Sequence, residues 1–104
     1  MPDRSPRLLL NDELKAILGS NNVYFQPPED RVLEYPCIVY ERDDTQILHA
    51  DNIPYSVAQR YQVTYIDQMP DSAVVEKLKQ RKLCRFQRHF ATSGLNHDVF
   101  VLYH

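Results

Sequence analysis

Four histidines are the first residues that could carry acid–base or metal chemistry: His49, His89, His97 and His104. No two of them have the helical or short strand spacing that brings two ligands to one metal ion. Asn96-His97-Asp98 sets an acid beside a histidine, as some nucleases do, but a strand would send His97 and Asp98 to opposite faces. The pattern favours surface or interface histidines over a metal centre.

Two short segments combine an acid with lysine, the ingredients of a metal-dependent nuclease: Glu13-Leu14-Lys15 and Glu76-Lys77-Leu78-Lys79. That chemistry needs a sheet and a separate upstream aspartate, whereas both segments have helical patterns. Gly19 and Gly94 are the only glycines, so the sequence cannot build a phosphate-cradling loop. Signatures of acyl transfer are also missing. We therefore predict a protein that is not an enzyme and that has neither a metal nor another cofactor.

Charge is the more informative pattern. Fourteen acids and twelve bases give a formal net charge of -2, so the molecule as a whole has no electrostatic attraction to nucleic acid. Between Arg42 and Arg60 every charged residue is an acid: Asp43, Asp44 and Asp51. A run of bases without acids follows later in the chain: Lys77, Lys79, Arg81, Lys82, Arg85 and Arg88.

Three interpretations of this charge pattern remain open. The two segments can be a polar loop and a helix end, both in solvent. They can instead be unlike surfaces that pair head to tail, which closes into a ring when the rotation permits. The basic run can also be a nucleic-acid site, because Phe86 and Phe90 are interleaved with it. Strand alternation, however, predicts that both rings turn toward the core with Cys84.

Size and composition limit the framework that holds these residues. A length of 104 residues predicts one domain, residues 1–104, and 43% hydrophobic residues indicate a folded protein. Apolar stretches such as Cys37 to Tyr40 are too short to cross a membrane, and the N-terminus has no apolar signal core. We expect the protein to stay in the cytoplasm where it is made, with Cys37 and Cys84 as reduced core thiols.

Two helices are predicted. The first begins at Ser5-Pro6, ends at Gly19 and covers about residues 6–18. Its apolar residues share one face: Leu10, Leu14, Ile17 and Leu18. The second begins at Pro70-Asp71-Ser72 and covers about residues 72–81. Its inward-facing residues are Val74, Val75 and Leu78.

The other predicted elements are strands. Residues 23–25 form a short extended run closed by prolines, and residues 35–42 form the likeliest central strand. Residues 60–67 alternate, and residues 84–92 and 95–103 flank Ser93-Gly94, which suits a two-residue hairpin turn. The predicted fold class is α+β, a mainly antiparallel sheet of about four strands with two helices on one face, in the order α-β-β-α-β-β.

The connection between the second and third extended runs, residues 43–59, is unusual. It is longer than the loops that compact domains commonly use. It is also too apolar for a plain disordered linker, since it contains Ile47, Leu48, Ile53, Tyr55 and Val57. We expect this long loop to project from the body, an irregular hairpin being one possible form, and to become ordered against another subunit.

Several strings of the sequence resemble a small protein of siphophages that infect Gram-positive bacteria, described as a tail-completion or minor structural protein. They are YPCIVYERDD (residues 35–44), HADNIPY (49–55), RYQVTYIDQMPDS (60–72), CRFQRHF (84–90) and LNHDVFVLY (95–103). The resemblance covers roughly residues 23–103 and does not include the opening MPDRSPR. The order of elements is also similar to the tail-terminator fold, a sheet with helices on one side.

The resemblance implies a virion protein of the tail or neck, assembled in the cytoplasm of the bacterial host. Such a protein forms a hexameric ring that caps the finished tail tube, ends its polymerisation and joins it to the head connector. The implied partners are further copies of the chain, the major tail protein and the connector or stopper protein. DNA passes through the lumen without sequence-specific binding, and no membrane is involved. The alternatives are another neck protein, such as a stopper, or a small regulatory nucleic-acid-binding protein.

A ring built from unlike surfaces would place subunit or partner contacts in the long loop and the basic run. The expected interface residues are Asp43, Asp44, His49, Asp51, Asn52, Tyr55, Lys82, Arg85, Arg88 and His89. If the loop faced the lumen instead, its acids would weakly repel passing DNA and keep it from sticking.

Overall fold

The computed structural model describes residues 6–49, 57–69 and 72–104, and in these ranges the chain forms two helices and one five-stranded sheet. The elements are α1 (Pro6–Leu18), β1 (Val23–Phe25), β2 (Cys37–His49), β3 (Val57–Asp67), α2 (Ala73–Gln80), β4 (Cys84–Thr92) and β5 (Leu95–Tyr103). No helix within these ranges is long and apolar enough to span a membrane.

The sheet is mixed, with the strand order β1-β2-β3-β5-β4. β1 pairs with β2 in parallel, and the other neighbours are antiparallel. The α+β class is therefore confirmed. The predicted order α-β-β-α-β-β with about four mainly antiparallel strands is wrong in one strand, because the extended run at residues 23–25 joins the sheet as the parallel strand β1 and makes the order α-β-β-β-α-β-β. This short strand is held by its side chains: Val23 is buried in the core, and the Phe25 ring lies 5.0 Å from that of Tyr40.

Both helices bury the faces that the sequence predicts; α1 has the predicted boundaries, and α2 is one residue shorter at each end, where Ser72 and Arg81 are its caps. Leu10 and Leu14 of α1 are fully buried, and the helix ends where Gly19 takes a φ of 82° and donates its N–H to the Lys15 carbonyl at 2.8 Å. Ser72 caps α2, because its Oγ accepts the N–H of Val74 at 3.1 Å.

The core lies between the helices and one side of the sheet, the helix-facing side. Its members from the helices and β1 are Leu10, Leu14, Leu78 and Val23, and those from the other strands are Ile38, Tyr40, Tyr61, Val63, Tyr65, Phe100 and Leu102. Two of the three buried tyrosines bond through their hydroxyl groups to polar side chains there. Tyr40 donates to Asn11 at 2.8 Å, and Tyr65 bonds to Asp67 at 2.5 Å and to Ser72 at 2.9 Å. Burial raises the pKa of Tyr65 to about 12.

The long connection takes the form of an irregular hairpin, the one form that was named for the predicted projecting loop. β2 continues to His49 and β3 begins at Val57, and the pairs Ile47–Gln59, Leu48–Ala58 and His49–Val57 make the connection a hairpin whose register shifts beyond Arg42. We call residues 43–59 the arm; residues 50–56 lie outside the described ranges. Strand pairing is favoured because it bonds backbone groups that a long loop would leave to water. Whether the arm becomes ordered against another subunit stays a prediction.

Candidate assembly interface

β4 is an edge strand, and in the described part of the chain its outer side pairs with no other strand. From Arg85 to Thr92 every residue is exposed, while Cys84 is half-buried. An edge of nine residues presents backbone donors and acceptors that another strand can use. β4 is therefore the first candidate for a surface that binds another chain.

Two aromatic rings of β4 lie at the surface, contrary to the prediction that both turn toward the core. Phe86 and Phe90 are each 39% exposed. A bulge between Phe86 and Arg88 changes the alternation, so Phe86 faces the helices while Phe90 faces the opposite side. Phe86 packs edge-on against Phe100 at 5.6 Å, and Phe90 stacks on His97 at 4.6 Å.

The side of the sheet opposite the helices, which we call the helix-free face, has a gradient of charge. Pairing aligns Glu41, Gln62, Val101 and Arg85 in one row across four strands. The bulge lets Arg88 share this face with Arg85, although the two are three residues apart. Glu41 and Asp43 therefore lie on β2 at one side of the face, and the two arginines lie on β4 at the other.

The acids of the predicted interface have different environments. Asp43 forms an ion pair with Arg60 at 3.0 Å, so part of its charge is already balanced within the chain. Glu41, which the sequence argument did not single out, is exposed and accepts a bond from Gln62 at 3.3 Å. Asp44 and His49 lie on β2, whereas the remaining predicted residues lie outside the described ranges: Asp51, Asn52 and Tyr55.

The basic run is divided by the fold. Arg85 and Arg88 point to the helix-free face, Lys82 is exposed before β4, and Lys79 lies over the Phe86 ring at 5.2 Å on the other side. Arg81 faces inward instead, with its side chain 13% exposed. The run is therefore not one continuous patch, and only Lys82, Arg85 and Arg88 keep the predicted place near the edge.

Arg81 joins both helices to the end of β5. It donates to the two Glu13 carboxylate oxygens at 2.6 and 3.1 Å and to the Tyr103 carbonyl at 3.0 Å. It also lies 2.8 Å from His104 Nδ1, and because a guanidinium can only donate, that nitrogen must accept. Glu13 and Arg81 thus contribute to the fold, and Glu13 lies on a helix rather than on the sheet that a nuclease would need.

His89 has an acidic partner that the sequence argument missed. Its Nδ1 lies 2.8 Å from Asp98 Oδ1, and Asp98 is 7% exposed on the helix-facing side of the sheet. His97 and Asp98 do face opposite sides, as predicted. Counting back from the Ser93-Gly94 turn pairs His89 with Asp98, so the hairpin register could have revealed this contact.

The remaining groups that could do chemistry are held as neutral or bonded side chains. Cys37 and Cys84 are free thiols, and burial raises the pKa of each to about 11, so both stay protonated at neutral pH. Ser72, near Asp98 in a cleft beside α2, is bonded to Val74 and Tyr65. In the ranges that the structure describes, no three side chains from His, Cys, Asp and Glu are grouped to hold a metal ion.

Comparison with known proteins adds no family. No protein-family model matches the chain, and no curated protein matches it significantly. The function must therefore be argued from the residues of this chain.

Proposed function

We propose that this protein is a structural subunit of a long-tailed phage that forms a ring at the head-proximal end of the tail tube. The ring ends tail polymerisation and joins the tail to the head connector. The observation that carries the proposal is the separation of unlike surfaces on one sheet, with acids on β2 and arginines with exposed aromatic rings on β4. Such surfaces suit head-to-tail assembly, which closes into a ring when the rotation between subunits permits.

The composition of β4 supports a role in protein assembly. Arginine and aromatic residues are enriched in protein interfaces, where they provide much of the binding energy. β4 combines Arg85 and Arg88 with Phe86 and Phe90, each of which is 39% exposed. The resemblance to tail-completion proteins supplies the particular assembly, a hexameric ring, and its partners, the major tail protein and the connector or stopper.

The proposed role requires no catalysis and no cofactor. DNA would pass through the lumen without sequence-specific contacts, and the acids of the arm would discourage it from adhering. The proposed location is the virion neck, reached after assembly in the host cytoplasm. The two helices on one side of the sheet favour a terminator over a stopper, because stoppers resemble small β-barrels.

Electron microscopy of a phage with an early stop codon in this coding sequence tests the proposal. We expect tails of uncontrolled length that are not joined to heads, and rescue by wild-type protein supplied from a plasmid. Tails of normal length that fail to join would assign the protein to the stopper position instead. Normal infectious particles would refute a structural role.

A nucleic-acid-binding role is the second candidate, and one cluster favours it. Arg88 lies 5.5 Å from the Phe90 ring, which stacks on His97, and Arg85 is nearby on the same face. Such a combination can hold single-stranded nucleic acid. His97 and Arg88 already contact the Phe90 ring, however, which leaves less of it for a base. Retention on single-stranded DNA that falls steeply with salt would support this role, and no retention at low salt would exclude it.

A further inference from the structure

We propose that β4 of one copy pairs edge to edge with the outer half of β2 in the next copy, so that neighbouring subunits share one continuous sheet. This inference deepens the proposed ring and rests on it. Besides the three-residue β1, two longer stretches of the described sheet have an open side that can accept a strand. One is β4, and the other is residues 43–49 of β2, which we call the arm edge.

The arm edge is open because β1 is short. β1 covers β2 only as far as Tyr40, and the Gln26 side chain then accepts the Arg42 N–H at 3.2 Å. Within the described residues, β2 beyond this point pairs on one side, with β3. Among the described strands, the arm edge therefore has seven residues with no strand on their outer side, which can pair with the nine residues of β4.

The two edges lie at opposite sides of the sheet, and this position decides the symmetry. β3 and β5 separate β2 from β4 in the strand order. A contact between unlike edges leaves each subunit with one edge of each kind still available, so the same contact can repeat. Repetition of this contact produces a ring when the rotation between neighbours closes, whereas pairing of β4 with itself would end at a dimer.

Charge favours the unlike pairing. In the combined sheet Arg85 and Arg88 lie on the same side as Glu41, which comes two residues before the arm edge, and Asp43 and Asp44 are acids of the arm edge itself. Pairing of β4 with a second β4 would bring arginines together. Opposite charges on neighbouring strands stabilise a sheet, and like charges destabilise it.

The exposed rings and the bulge of β4 fit the same contact. An added strand would cover part of Phe86 on one side of the sheet and part of Phe90 on the other, which removes apolar surface from water. The bulge between Phe86 and Arg88 limits regular pairing to residues 84–86 and 88–92. A bulged, charged edge discourages indiscriminate strand addition, so the acidic arm edge is the partner that it selects.

Two charge-reversal variants test the pairing. Variant A is Arg85→Glu with Arg88→Glu, and variant B is Glu41→Lys with Asp44→Lys. A control variant, Lys15→Glu with Lys77→Glu, changes the charge as much as variant A does but places both substitutions on the helices. Native mass spectrometry measures the assembly of each protein at high concentration, and circular dichroism checks that each is folded.

We expect the wild type and the control to form rings, and each of variants A and B alone to remain monomeric. A mixture of A and B should assemble again, because every contact between alternating A and B subunits joins an acidic edge to a basic one. The restored rings should contain even numbers of subunits. Normal assembly of variant B alone would overturn the inference and favour pairing of β4 with itself, and a wild type that stays monomeric would also overturn it.

Hydrogen exchange provides a second measurement that does not depend on the variants. In the wild-type assembly, amides at the outer edge of residues 88–92 should exchange at least tenfold more slowly than in dilute monomer. Unchanged exchange in β4 would overturn the inference even if a ring forms. The proposed function at the end of the tail is tested separately. The phage with the stop codon reports tail length and head joining, whichever edges the subunits use to pair.

Discussion

β4 and β5 are the two strands of one hairpin, and each has nine residues, yet their surroundings are opposite. Five consecutive residues of β5, from Asp98 to Leu102, are buried, whereas β4 is exposed beyond Cys84. β5 lies between β3 and β4, while β4 has a neighbour on one side. Aromatic residues therefore have two roles in this hairpin: Phe100 fills the core, and Phe86 and Phe90 remain available to a partner.

The largest expected effect on stability tests this difference between the core ring of β5 and the exposed rings of β4. Phe100→Ala should lower the free energy of unfolding by about 3–5 kcal/mol, because it leaves a cavity in the core beside Phe86. Phe90→Ala should lower it by less than about 1 kcal/mol, since the ring is partly exposed and rests mainly on His97. Urea unfolding measures both. If the two losses are equal, β4 belongs to the core as much as β5 does.

A second comparison contrasts two residues of the basic run: Arg81, which faces inward, and Lys79, which faces outward. Arg81→Ala should cost about 1–3 kcal/mol of unfolding free energy, because it leaves Glu13 and the Tyr103 carbonyl without their donor. Lys79→Ala is the matched control, as its pair with Glu76 is 3.8 Å long and largely exposed. The control should change stability by less than about 0.5 kcal/mol. If Arg81→Ala lowers the free energy of unfolding as little as Lys79→Ala does, the hydrogen bonds of Arg81 are not maintained in solution.

The turn that joins β4 to β5 should show a smaller effect. Gly94 has a φ of 74°, in the left-handed region, although a Cβ there would meet no other atom within 4 Å. Gly94→Ala should therefore cost about 1 kcal/mol from backbone strain alone. Asn tolerates this conformation better, so Gly94→Asn should cost less. Equal losses for the two variants would point to a role of Gly94 other than its backbone angle.

The same features show which parts of the structure local sequence patterns could predict. The helical face of Leu10 and Leu14 and the Ser93-Gly94 turn are local patterns, and the structure confirms both. The bulge after Phe86 was not predictable, because alternation assumes an unbroken strand. The bond between Glu13 and Arg81 joins residues 68 positions apart, and nothing in local spacing indicates it. The charge pattern therefore overstated the basic surface by counting Arg81.

The parallel pairing of β1 and the extension of β2 and β3 into the arm were predicted only in outline, as an extended run and a possible irregular hairpin, for a related reason. Three residues before two prolines are a weak strand signal, and Val23 and Phe25 gain their place from core contacts that only the folded chain provides. The arm lacks clear alternation, and its strands pair beyond a register shift. Tertiary contacts decide such segments, because β-propensity depends on what each strand packs against.

The smallest effect on stability, with the largest effect on assembly, is expected from removing the arm. Replacing residues 44–58 with a short Gly-Ser turn keeps the last regular pair of the main hairpin, Arg42 with Tyr61, and keeps the ion pair of Asp43 with Arg60. The core members nearest in sequence are Tyr40 and Tyr61, so the shortened domain should fold with a melting temperature close to that of the wild type.

The same variant removes the arm edge, so it should not form rings and should not restore the stop-codon phage. Its β4 remains intact, so it should still bind wild-type subunits through that strand and limit their assembly to short, open complexes. Native mass spectrometry of the mixture would reveal these complexes. Unfolding of the shortened domain would show that the arm stabilises the body, and rings formed by the shortened protein alone would show that β4 pairs with a surface other than the arm.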